Sequence, residues 1–362
     1  MRLIAGVACL VFLLPPTGWA ADAPLLNIYN WSDYIDPEII TEFEQEFGID
    51  VNYDIYDSSA IVDTKLLTGS SGYDVILHAA SNSASIMAAG VYQAVDFSRL
   101  ENWHHIDADI VAAVERNYQQ KLIGVPYMWG TTGFTYNVDL VKARMADAPI
   151  NSAAMLFDPA VVSKFADCGV TLIDDADTNI TMALAYLGLP PNSVEPAHLA
   201  QAETLLKAVR PYIKYFSSTK MMLDLPSEEV CIAGSWSGDY SIASSRAAEA
   251  GLDINLAYTV PREGAPDFHD VFYIPSDASH PDNAHLFLDF ILRPEIVARA
   301  SNFVGYANVN RSATPLVDQA ITSNPAIYPN TDTLQRLYSI KPLSPKLQRL
   351  RTRIWTKVKS GL

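Results

Sequence analysis

Between Leu25 and Gly90 the chain alternates strand-like and helix-like stretches, three of each. LLNIYNW reads as a buried strand. DPEIITEFEQEFG follows as a helix, with Asp36 as N-cap, Pro37 in the first turn and Gly48 at the end. VNYDIYD alternates apolar and polar residues as a strand does, and SSAIVDTKLLTG is helical again up to Gly69. YDVILHA is a third strand that runs into the helix SASIMAAG. Strands joined by helices in this way need right-handed crossovers and therefore build a parallel sheet. In such sheets ligands bind beyond the carboxyl ends of the strands. NWSDY and HAAS both leave a strand at that end.

From about Thr131 to Glu249 the chain is richer in helix. KLIGVPYMWGTTGFTYNVD reads as paired extended segments, with GTTG as the crossing point between lobes. FADCGVTLIDDADTNITMALAYLG and VCIAGSWSGDYSIASSRAAEAG each run strand, turn, helix. INLAYTVPREGAPDFHDVFYIPSDA holds two more strands and DNAHLFLDFILRPEIVARASNFVG two helices. The basic, amphipathic C-terminus, KLQRLRTRIWTKVKSGL, reads as a helix packed on the second lobe.

The ends and the charge bound the setting. Arg2, the apolar run LIAGVACLVFLL and the small-residue stretch PPTGWA have the form of a secretory signal peptide cleaved after Ala20. That run is too short for a bilayer core of ~30 Å. An exported protein of a Gram-negative periplasm is the implied setting. About 340 residues remain, more than one core usually supports, so two lobes are expected. The net charge of −16 excludes nucleic-acid binding through a basic surface. Such acidity attracts cationic ligands, or only keeps an exported protein in solution. Cys168 and Cys231, the two cysteines beyond the leader, suggest one disulfide in an oxidising compartment, a catalytic thiol being the alternative.

Enzyme signatures are missing. GSWSG, Gly234 to Gly238, has Trp236 at the centre where a nucleophile elbow needs serine. There is no H-E-x-x-H, C-x-x-C, phosphate-binding or dinucleotide-binding glycine motif, and apart from the adjacent His104 and His105 the histidines are scattered singly. What recurs is an aromatic beside a carboxylate at a turn: Trp31 near Asp33 and Tyr34, Trp236 near Asp239, Phe268 near Asp270. Aromatic faces attract organic cations, and carboxylates accept charge-assisted hydrogen bonds from ammonium groups. Together they suit a flexible apolar chain with positive ends. Any single pair also reads as a core aromatic and a helix cap.

In order and spacing, LNIYNWSDYI, GYDVILHAAS, PYMWGTTG, WSGDY, LRPE, YANVN, ATPLV and RTRIWTKVKSG resemble the periplasmic polyamine-binding proteins of ABC importers, putrescine-binding type. The similarity covers nearly all of the chain after the leader. It implies an α/β, two-lobed periplasmic-binding-protein fold of type II. Each lobe would be a mixed sheet flanked by helices, with the ligand cleft between them. The lobes would comprise residues 21–131 with 252–308, and 132–251 with 309–362. It also implies a Cys168–Cys231 disulfide, a monomer without cofactor or metal, no catalytic residues, and an inner-membrane ABC permease as partner. A membrane signalling receptor that reads the ligand-bound state is the alternative partner.

Carried over by position, the resemblance makes Trp31, Ser32, Asp33 and Tyr34 the first cleft loop and Ser81 a residue after the third strand. It adds Trp236 and Asp239 from the second lobe, Phe268 and Asp270 from the returning strand, and Tyr306 as the last cleft residue. The aspartates would bind ammonium groups and the rings would sandwich the carbon chain. Two positions depart from the putrescine type. Ala79 replaces a serine, and Thr178 replaces an amine-binding glutamate, with Asp177 and Asp175 close by. The ligand is then a diamine held by one of those acids, a longer polyamine, or a molecule with one strongly cationic end. His269 reads as a neutral aromatic substitute, or else as a pH switch.

Overall fold

The alternation at the start of the chain folds as its residues dictate. β1 (Leu25–Trp31) pairs in parallel with β2 (Asp50–Tyr56) and β3 (Val75–Ala79). Asp36 caps the helix Pro37–Phe47 by accepting from the Glu38 amide, and Gly48 ends it in the left-handed region at φ 64°. The computed structural model describes residues 24–119 and 121–361, so the expected leader lies outside the described residues. The remaining strands are β4 (Tyr92–Gln93), β5 (Val125–Asn137), β6 (Val170–Leu172), β7 (Ile213–Phe216), β8 (Ile232–Trp236), β9 (Leu256–Thr259), β10 (Ala265–Pro275), β11 (Ala307–Asn308) and β12 (Leu337–Ser339).

The expected pair of extended segments around GTTG is a single strand, the 13-residue β5. Its glycines do not make a turn. A Cβ on Gly130 would lie 2.8 Å from the Phe268 ring, and one on Gly133 would strike Tyr258, so both are sites of close approach within a continuous strand. The first half of β5 pairs antiparallel with β10 and β11, the second half with β8 and β9. One strand therefore runs through both lobes, giving the order β2-β1-β3-β10-β5-β8-β6-β7. The chain crosses again between β9 and β10, and a last time before the helix Pro345–Ser360.

Each half has its own core. Leu26, Phe43, Leu77, Phe272, Phe287 and Phe290 pack in the first, and Phe134, Phe157, Phe165, Leu184, Ile232 and Trp355 in the second. Val309, Ala313, Val317, Ile321 and Ile327 pack in the first core. The C-terminal helix buries Ile354, Trp355 and Val358 in the second, on the face its amphipathic pattern marks. Cys168 and Cys231 form a disulfide with Cα atoms 5.5 Å apart, tying together the starts of the neighbouring strands β6 and β8. Among the described residues no helix is long and apolar enough to cross a membrane.

Candidate functional site

A cavity of about 670 Å³ lies between the two halves, lined by eight aspartates and two cations, Lys341 and Arg349. Its walls come from the carboxyl ends of strands, as parallel topology requires. β1 delivers Trp31, β2 delivers Tyr56, β3 leads to Ser81, and β8 delivers Trp236. β10, crossing between the halves, adds Phe268 and Asp270. Nine of the ten expected binding residues line this cavity: Trp31, Ser32, Tyr34, Ser81, Trp236, Asp239, Phe268, Asp270 and Tyr306.

Asp33 is the exception. Its backbone turns to φ 55°, and its side chain, 47% exposed, pairs with Arg246 of the helix Ser237–Glu249 at 3.3 Å. It ties the first half to the second at the rim.

Two carboxylates sit at the centre. Asp270 accepts from the Tyr34 hydroxyl at 2.8 Å, and Asp239 from the Tyr306 hydroxyl at 2.8 Å. The Tyr34 and Tyr306 rings meet edge to face, with centroids 5.2 Å apart. Asp239 also accepts from the Trp236 amide at the start of its helix, where the dipole favours an anion. Because Tyr306 packs in the first core and Asp239 belongs to a second-half helix, this hydrogen bond spans the cleft. Burial pushes each carboxyl up to about 7, although the tyrosine hydroxyls, the Trp236 amide and the Trp31 indole pull the other way. Arg246, whose charge bears on Asp239, is held by Asp33. Asp270 forms no ion pair among the described residues. Trp31 packs on Tyr56 at 4.3 Å, and Phe268 stands edge-on to both Tyr306 and Trp236, closing an aromatic box around the acids. Such a box is suited to an alkyl chain with cationic ends, since the faces hold cations and the ring bulk covers methylenes.

The opposite wall differs. Thr178 is buried in the first turn of the helix Ala176–Tyr186. Asp175 is the N-cap of that helix, accepting from the Thr178 amide at 2.7 Å, and burial together with Asp177 raises its carboxyl. Asp177 pairs with the fully buried Arg351 at 3.1 Å and accepts from Gln348. Both acids near Thr178 therefore already serve the protein. His269, next to Asp270, faces away from the cavity, parallel to Trp129 with centroids 6.3 Å apart, and burial lowers its pKa so that it stays neutral.

Tyr56, Asp63 and Asp267 line the cavity without having been singled out in the sequence. Tyr56 ends β2 just as Trp31 ends β1, so the strand-end rule reaches it. Asp63 lies on the helix Ser59–Thr68 and no local pattern distinguishes it.

Two lobes joined by a through-running strand, with an acidic aromatic cleft between them, define a solute-binding protein of the clamp type. The chain belongs to the bacterial extracellular solute-binding protein family, which it matches over residues 38–329. It is 42% identical over 344 residues to the putrescine-binding periplasmic protein PotF of Escherichia coli, covering 94% of this chain and 93% of that one. It is 43% identical over 343 residues to the putrescine-binding periplasmic protein SpuD of Pseudomonas aeruginosa, covering 94% of each. Among solved structures it resembles a putative spermidine/putrescine ABC transporter protein of Listeria monocytogenes, with a TM-score of 0.81 and 29% identity. That likeness covers 93% of this chain and 99% of the other.

Proposed function

We propose that this chain is a periplasmic, non-enzymatic binding protein that captures a polyamine in its cleft and delivers it to an ABC permease. The observation that carries the reading is the pair Asp239 and Asp270. Two carboxylates are buried in an aromatic box, each oriented by a tyrosine hydroxyl and neither neutralised by direct pairing to a protein cation. Burying a charge without a partner costs several kcal/mol, which a ligand ammonium would offset. The printed names of the relatives point to the same ligand class. Trp31, Ser32, Tyr34, Ser81, Trp236, Phe268 and Tyr306 would complete the site, with Asp33 acting at the rim through Arg246. Residues of both lobes reach the ligand together only when the clamp is shut, so binding favours the closed state. Packing supports extending the first lobe to Ile327, beyond the boundary at 308 expected from sequence.

Calorimetric titration of the ligand-stripped protein with putrescine, cadaverine, agmatine, norspermidine, spermidine and spermine tests this. At least one should bind, and Asp239→Asn and Asp270→Asn should each weaken it by about tenfold or more. Silence with all six ligands would sink the reading. Unchanged affinity in both variants would overturn the site assignment.

A further inference from the structure

We propose that Asp63 binds a third ammonium, so that the site prefers linear triamines of the spermidine class to diamines. The inference rests on the polyamine reading above and concerns the outer end of the same cleft. At that end the second-lobe acids are committed. Asp174 pairs with Lys359 and accepts from the Trp355 indole, Asp175 caps its helix, and Asp177 holds Arg351 and Gln348. Asp267 accepts from Ser339. Asp63, on the first-lobe helix, is different. Its Oδ1 is buried against His78, and its side chain, 27% exposed, lines the cleft.

The group behind that oxygen is an imidazole. His78 on β3 is wholly buried, and its Nε2 lies 3.3 Å from that same Oδ1. Its Nδ1 is engaged with the Tyr92 hydroxyl at 2.8 Å. Burial keeps this imidazole neutral, so it cannot supply the charge that Asp63 lacks. One carboxylate oxygen therefore rests on a neutral dipolar group, and no lysine or arginine among the described residues pairs with the side chain, which lines the cleft. Asp177 faces it closely enough to add to the local negative potential. Lys341 and Arg349 are exposed at the cavity lining.

Shape agrees with charge. A cleft of about 670 Å³ exceeds what a four-carbon diamine fills. Leu67, one helical turn beyond Asp63, joins Ile86 and Tyr56 in offering apolar surface to the methylenes of a longer chain. With Asp175 and Asp177 beside Thr178 already engaged, the outer ammonium contact falls to the first lobe.

The test is calorimetric titration of the full, ligand-stripped chain with putrescine, spermidine and an N-acetylspermidine lacking one terminal charge. In the wild type, spermidine should bind about tenfold or more tightly than putrescine, and acetylation should erase the gain. Asp63→Asn should weaken spermidine by about tenfold while moving putrescine less than about threefold, and Asp63→Glu should restore part of the difference. If Asp63→Asn fails to fold, the acetylated ligand decides on the wild type alone. Equal affinity for spermidine and its acetylated form, or parallel loss of both amines in Asp63→Asn, overturns the proposal and leaves polyamine binding standing. Failure of every amine to bind overturns both.

Discussion

Binding should be steeply pH-dependent near neutrality, because the two central carboxyls must ionise before they can hold ammonium groups. Burial holds Asp239 and Asp270 each at about 7 until a cation arrives. A diammonium ligand needs both in the ionised form, and its apparent affinity scales with the fraction of protein in that state. Treated as independent groups, both are ionised in roughly 80% of molecules at about pH 8 and in about 1% at about pH 6, which predicts ~100-fold weaker binding at the lower pH. Binding near pH 7 should release about one proton in total, half from each carboxyl. Titration in two buffers of different ionisation enthalpy measures that proton directly. Asp239→Asn leaves one titrating group, so its pH dependence over the same range should shrink to about tenfold. Affinity that stays flat from pH 6 to 8, with an enthalpy independent of buffer, would refute the reasoning. The carboxyls would then be ionised throughout, or would not touch the ligand.

Other consequences follow from the same geometry. A carboxyl raised from 3.8 to about 7 in the folded state binds more protons folded than unfolded. Its stabilisation is therefore complete below pH 3.8 and is lost as pH rises through 7. Asp239→Asn removes that loss, so ligand-free Asp239→Asn should gain melting temperature over wild type at pH 8 and not at pH 4, an effect of up to about 4 kcal/mol. Gly238→Ala would drive a Cβ into the Tyr306 ring at the contact between lobes. It should cost about 1–3 kcal/mol in denaturant unfolding and weaken polyamine binding by displacing the tyrosine that orients Asp239. Replacing both Cys168 and Cys231 by serine opens a link between residues 63 apart. That should lower stability by ~4 kcal/mol, read from the shift in denaturation midpoint, while ligand affinity stays within about twofold.

Where a side chain points was legible only when a local rule governed it. Trp31 and Trp236 were readable because a strand's carboxyl end faces the cleft in an α/β sheet. Phe268 and Asp270 share a face because strand side chains repeat every second residue. Asp33 shows the limit. It sits between two cleft residues, but a positive φ swings it to Arg246, and that partner is 213 residues away in sequence. Asp177 looked like a substitute for the missing glutamate, but the sequence does not reveal that Arg351, 174 residues on, holds it. The GTTG stretch looked like a crossing point and is one, but as a single continuous strand whose glycines admit the neighbouring rings.

By itself, then, the chain determined its strand–helix order, its two lobes, its family and most of the cleft wall, because periodicity, capping and strand-end geometry are local and recur along the sequence. Tertiary structure alone decided which acids are free to meet a ligand. That depends on desolvation and on partners brought in from far along the chain, such as Tyr306 on Asp239, Tyr34 on Asp270 and Arg351 on Asp177. Burial, which raises the two central carboxyls, exists only once both lobes have closed around them.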